Sequence, residues 1–138
     1  MAGQKVNIEP SFDTSDLLHS SVGVRFIGVT ISSAAEDDGS YLDPSDGKVL
    51  RRGLVLGRIA ESGLYKEFDE SAEDGSEVSA NVLVLAQNVD LRDGENKQAV
   101  AISAGQLKRS EVFGLDDLEE EECQRLSFYP FVAEAPVT

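Results

Sequence analysis

Short apolar runs separated by turn residues fill residues 50–90, and this alternation limits the fold more than any other feature of the sequence. The strongest run, residues 82–86, holds five consecutive apolar residues. Apolar runs that are interrupted by other residues precede it at residues 54–59 and 64–68. Runs of this length, bounded by Gly, Asp and Ser, are typical of β-strands joined by turns. The block therefore predicts a mainly β fold.

Further strands are predicted on both sides of this block, at residues 22–31, 99–104 and 127–132. In the first of them the apolar positions change parity between Phe26 and Ile27, which indicates a bulge or a bend at Gly28. Pro130 favours an edge position for the last strand, because proline cannot donate a ladder hydrogen bond. The four Asp-Gly pairs of the sequence predict turns, since glycine enters the left-handed region without steric cost.

One short helix is predicted in the C-terminal half, at residues 114–126. Leu115, Leu118 and Leu126 share one stripe at helical spacing. The acidic residues crowd the first half of this segment, where the helix dipole favours them, and Arg125 falls near its end.

The composition limits the partners of this chain. With 138 residues it is expected to form one domain, and its net charge of −14 repels phosphate groups. Neither nucleic acid nor a membrane is therefore expected as a partner. The single cysteine, Cys123, excludes a disulfide within the chain, and no signal peptide or 20-residue apolar span is found. Synthesis in a reducing cytoplasm is expected.

The residues that most often carry out chemistry are few and poorly placed. His19 is the only histidine and has no nucleophile motif beside it. Four glutamates surround Cys123, which would raise the pKa of the thiol and disfavour a nucleophile. The acidic segment from Asp69 to Ala80 fails the calcium-loop pattern, because its sixth residue is Asp74 where that pattern needs glycine. No catalytic residue, cofactor or metal is predicted, and the chain is not expected to be an enzyme.

The order of segments in the central block resembles one known family. Residues 53–59 and 62–69, then 74–76 and the strand at 82–86, are similar to the head decoration proteins of tailed bacteriophages, the family of the lambda capsid decoration protein D. The resemblance covers about residues 22–112. The chain departs from this family in residues 35–48, which form a longer and more acidic insert, and in the acidic residues 115–124.

The resemblance implies a fold and a function. It implies a small β-clip or β-tulip-like domain that binds as trimers at threefold and quasi-threefold sites on the exterior of the expanded head. There it would stabilise the shell against DNA pressure. The implied partners are the major capsid protein of the cognate phage and two further copies of the chain. The implied location is the outer surface of the virion capsid, after synthesis in the host cytoplasm.

The sequence also predicts how such binding would be organised. Residues 1–21 are polar and irregular and are interpreted as a flexible N-terminal arm, followed by a single domain at residues 22–138. Residues 22–31 are interpreted as a capsid-binding strand that adds to an edge of a partner sheet. Its apolar side chains are the predicted binding residues: Val22, Val24, Phe26, Val29 and Ile31. The alternative is a strand internal to the domain.

Two other classes of protein fit the same composition. A small acidic β-domain could act as an accessory or inhibitor protein in the cytoplasm. It could also be a subunit of a β-rich enzyme oligomer, which would require a pocket lined by convergent polar groups that the sequence does not indicate.

Overall fold

The structure, a computed structural model, describes residues 16–130, and eight strands carry most of the regular structure in this range. The strands are β1 Leu18–Ile31, β2 Val49–Leu50, β3 Val55–Arg58, β4 Tyr65–Glu67, β5 Leu83–Leu85, β6 Val89–Asp90, β7 Lys97–Lys108 and β8 Leu126–Tyr129. Short 3-10 helices lie at Ser79–Asn81, Arg109–Glu111 and Glu120–Glu122. The prediction of a mainly β fold is confirmed.

Six of these strands form one sheet in the order β1-β4-β3-β5-β7-β8, and β1 also pairs with β7. The first five strands in this order, β1, β4, β3, β5 and β7, therefore form a closed ring of pairings. The contacts of β1 with β4 and of β7 with β8 are parallel, and the other pairings in this sheet are antiparallel. Strands β2 and β6 form a separate two-stranded sheet.

Two hydrophobic clusters cover the two faces of the central strands. In β3, Val55 belongs to one cluster and Leu56 to the other, and in β5 Val84 and Leu85 divide in the same way. All four side chains are buried. In a strand that is covered on both faces, no side chain points to solvent, so that every position favours an apolar residue. This explains why residues 82–86 form a continuous apolar run.

The pairing of β1 with β7 is irregular near the predicted bulge. Arg25 lies opposite Ala104 and Phe26 opposite Ile102, so that Ser103 is the extra residue. The bulge therefore lies on the partner strand. Gly28 lies opposite Val100 in regular register, so the bulge does not lie at this glycine. Two further irregularities lie between Leu18 and Ser20 and between Ser20 and Arg25.

The Asp-Gly pairs form turns. Gly47, Gly75 and Gly94 have positive φ angles, and the pair at Asp38 lies in a turn in which the Ser40 N–H donates to the Asp37 carbonyl. Aspartate side chains stabilise several turns by accepting the N–H two residues later. Asp69 and Asp74 also accept the hydroxyl of the serine at that position, and these bonds lower the pKa of both carboxyl groups.

The helix predicted at residues 114–126 does not form. The segment has a turn in which the Leu118 N–H donates to the Leu115 carbonyl, followed by the 3-10 helix Glu120–Glu122. Repulsion between neighbouring glutamates disfavours a longer helix. Within residues 16–130 no helix is long and apolar enough to cross a membrane.

Candidate interaction surface

The exposed large apolar side chains of the described residues fall mainly into two groups. Three lie on β1, two are consecutive in the acidic insert, and one stands apart. In chain order they are Val22, Phe26, Ile27, Tyr41, Leu42 and Val78. Apolar side chains that are grouped on a surface are typical of contact sites, whereas single ones are common everywhere.

The predicted binding residues divide into exposed and buried positions on β1. Val22 is 75% exposed and Phe26 is 42% exposed. Val24 is half-buried against one core cluster, and Val29 and Ile31 are buried in the other. The domain core thus takes two of the five side chains, and the role of all five in binding a capsid stays a prediction.

Sequence reasoning missed Ile27, which is as exposed as Phe26. Consecutive residues of a strand point to opposite faces. Each face of β1 therefore carries a partly exposed apolar side chain at this point. The signal in the sequence was the change in the alternation of apolar residues between Phe26 and Ile27, which places apolar side chains on both faces of the strand.

Within residues 16–130, one edge of β1 pairs with another strand only near the C-terminal end of β1. The strand pairs with β7 at Leu18, at Ser20 and from Arg25 to Ile31. On its other edge it pairs with β4 only, through Ile31 and Tyr65. An open edge presents backbone N–H and C=O groups that can pair with a strand of another chain. Residues 1–15, most of the predicted arm, lie outside the described residues, and β1 begins inside the rest of it, at Leu18.

The acidic insert, residues 35–48, is fastened to the domain by a buried ion pair. The Asp37 carboxylate accepts two hydrogen bonds from the Arg51 guanidinium, at 2.7 and 2.8 Å. It also accepts the backbone N–H groups of Arg51 and Gly39. The guanidinium in turn lies 3.6 Å from the centre of the Phe113 ring. Such bidentate pairs fix geometry as well as charge.

Two further buried polar residues fix the middle of the insert. The Ser40 hydroxyl donates to the Val49 carbonyl at 2.7 Å and accepts the Asp43 N–H. The Asp43 carboxylate accepts the Lys48 N–H at 3.0 Å. Satisfied polar groups of this kind hold a loop in one conformation.

Glu67 of β4 joins the start of the insert to the sheet. Its carboxylate accepts the Glu36 N–H at 2.9 Å. Burial raises the pKa of Glu67, and the bond from Glu36 opposes that shift. The Lys48 ammonium completes this end of the insert by donating to the carbonyls of Ser33 and Ala35.

His19 and Cys123, the two residues considered for chemistry, make contacts that stabilise the fold. His19 lies in β1, and its ring stacks on the Tyr129 ring with centroids 4.4 Å apart. Cys123 is buried, and its thiol donates to the Ser79 carbonyl at 3.5 Å. Among residues 16–130 no three His, Cys, Asp or Glu side chains are grouped so that they could hold a metal ion.

We expect Cys123 to react slowly with thiol reagents in the folded protein. Burial, followed by repulsion from Glu120, Glu122 and Glu121, raises the pKa of its thiol to about 11. At pH 8 the folded protein then holds only ~0.1% thiolate, against roughly 10–25% for an unshifted cysteine. Alkylation by iodoacetamide at pH 8 should be at least about tenfold slower in buffer than in unfolding urea. Equal rates in the two solvents would contradict this environment.

The surface of the domain is that of a binding protein. The described residues form a β domain with two groups of exposed large apolar side chains and an acidic loop held by hydrogen bonds, and these features suit binding to other macromolecules. The family model of the bacteriophage lambda head decoration protein D matches residues 28–124. The chain therefore belongs to this family, as the sequence predicted, and its role is that of a structural protein of the phage capsid. No curated protein matches the chain.

Proposed function

We propose that this chain cements the head of a tailed bacteriophage from the outside. Three copies bind together at each threefold and quasi-threefold site of the expanded head, where they contact the major capsid protein and stabilise the shell against DNA pressure. The chain is made in the host cytoplasm and adopts the β-clip or β-tulip-like arrangement of its family. The observation that carries this proposal is the match of residues 28–124 to the decoration family.

The surface of β1 is the best-supported contact with the shell. The edge of β1 opposite β7 can add to a capsid strand through main-chain hydrogen bonds, and Val22 and Phe26 offer exposed side chains for pockets beside that strand. Val24, Val29 and Ile31 contribute by holding β1 in place. The predicted arm binds the shell as well, and binding as a trimer raises the effective concentration of each contact.

The test is co-sedimentation with heads of the phage that encodes the chain, prepared without their decoration protein. We expect saturable binding to expanded heads, with a copy number divisible by three at each site, and no binding to unexpanded heads. Bound protein should also raise the temperature at which the heads release DNA. Failure to bind either form would refute the proposal.

The contribution of β1 is tested in the same assay with Val22→Ser combined with Phe26→Ser. The double variant should bind expanded heads at least about tenfold more weakly, because it removes two apolar anchors. Val78→Ser is the matched control, since this valine is exposed but belongs to neither group. Wild-type binding by the double variant would exclude these side chains as anchors.

A further inference from the structure

The acidic insert presents two consecutive apolar side chains to solvent, Tyr41 and Leu42. Tyr41 is 77% exposed, the largest exposed fraction among the large hydrophobic residues of residues 16–130, and Leu42 is 37% exposed. A tyrosine in this position is a suitable binding anchor, because it brings a large contact area with only two side-chain torsions to fix. The pair is separate in sequence from the exposed residues of β1.

The insert holds this pair rigidly. Asp37, Ser40 and Asp43 lie within four residues of Tyr41, and all three are buried. Burying polar groups is costly unless each is hydrogen-bonded, and here each one is. A loop that is already fixed loses little conformational entropy when it docks, which favours binding.

The charge around the pair indicates what kind of surface it fits. Asp38 and Asp46 are exposed acidic residues of the insert, and Glu36 is exposed as well but pairs with Lys48 at 3.6 Å. The whole chain carries a net charge of −14, so the insert would be repelled by a second copy of the same acidic surface. A basic surface would attract it.

We propose that the insert is a second docking element, in which Tyr41 and Leu42 enter an apolar recess rimmed by lysine or arginine on a head protein. This inference rests on the proposed function and adds to it a contact outside β1. The insert therefore contributes both an apolar anchor and electrostatic selection against partners of like charge.

The anchor is tested with Tyr41→Ser combined with Leu42→Ser in co-sedimentation with expanded heads. We expect binding at least about tenfold weaker than wild type. The urea midpoint of unfolding should remain that of wild type, because both side chains lie outside the core clusters. Val78→Ser is again the matched control and should bind as wild type does.

The charge is tested with Asp38→Asn combined with Asp46→Asn. Binding of the wild type should weaken as salt is raised, and the double variant should show a shallower dependence on salt. Asp116→Asn combined with Asp117→Asn makes the same change in net charge at two exposed residues outside the insert. This control should keep the wild-type salt dependence.

The outcomes separate this inference from the proposed function. If wild-type protein binds neither form of the head, both are refuted. If wild type binds expanded heads and the Tyr41 and Leu42 variant binds equally well, only the docking role of the insert is refuted. If the variant changes the mass of the free protein in analytical ultracentrifugation and not its affinity for heads, the occupant is a second copy, and the proposed basic partner is wrong.

Discussion

Replacing Asp37 by alanine should lower the free energy of unfolding by about 3 kcal/mol. The Asp37 side chain is only 2% exposed, and its carboxylate is the acceptor for the guanidinium and the backbone N–H of Arg51. Alanine would leave these donors without their acceptor, and it would also release the N–H of Gly39. Donors that lose a buried partner incur their full desolvation penalty.

Urea unfolding followed by circular dichroism measures this effect, and the next residue supplies the control. Asp38 has the same charge but is exposed, so Asp38→Ala should change the stability by less than about 0.5 kcal/mol. A stability for Asp37→Ala within the same small range would show that the ion pair does not hold the insert. If Asp37→Ala is destabilised as expected but remains folded at the assay temperature, weaker head binding by this variant would connect the fastened loop to docking.

Replacing Gly53 by alanine should have a comparable effect, a loss of about 2–5 kcal/mol. Gly53 has a φ angle of +100°, and an added Cβ would lie 2.2 Å from the Glu111 carbonyl oxygen. The backbone cannot easily move away, because the Gly53 N–H donates to Leu85 and its carbonyl accepts from Phe113. The substitution therefore combines backbone strain with overlap against a fixed main chain.

Gly94→Ala separates these two causes. Gly94 also has a positive φ angle, +81°, but an added Cβ there meets no atom within 4 Å. This variant should lose only about 1 kcal/mol, the cost of the left-handed conformation alone. The difference between the two variants in thermal or urea unfolding measures the overlap at Glu111. Equal losses would show that the segment at Glu111 can move aside.

The strands could be predicted because local sequence and tertiary packing agree there. Residues 82–86 are apolar at every position, and the strand they contain has buried side chains in both core clusters. The turn at Asp93 could be predicted for a similar reason, since Gly94 adopts the conformation that glycine tolerates best. Pro130 follows directly after β8, which lies at the end of the sheet.

The helix could not be excluded from the sequence, because apolar residues of this segment are buried in the core although they do not lie on a helix. Leu118, Cys123 and Leu126 all reach the same core cluster from turns and a strand. Glu120 pairs with Arg109 through two short hydrogen bonds, at 2.8 and 2.6 Å. These long-range contacts override the local spacing that predicted a helix.

The candidate surface was only partly predictable. The sequence directed attention to residues 22–31, yet the exposure of Val22 and Phe26 depends on which face of β1 the core covers. The acidic insert was recognised only as a departure from the family. Its role in holding Tyr41 outward depends on Asp37 meeting Arg51, fourteen residues later.

The sequence by itself determined the mainly β class, the turns and the membership of the decoration family, because these depend on local preferences and on the order of segments along the chain. The tertiary structure decided which apolar side chains remain at the surface and which carboxylates are buried. Those outcomes depend on contacts between residues far apart in sequence, such as β1 with β7 and Asp37 with Arg51. Burial and charge pairing are properties of that arrangement, and the alternation of residues along one strand cannot specify them.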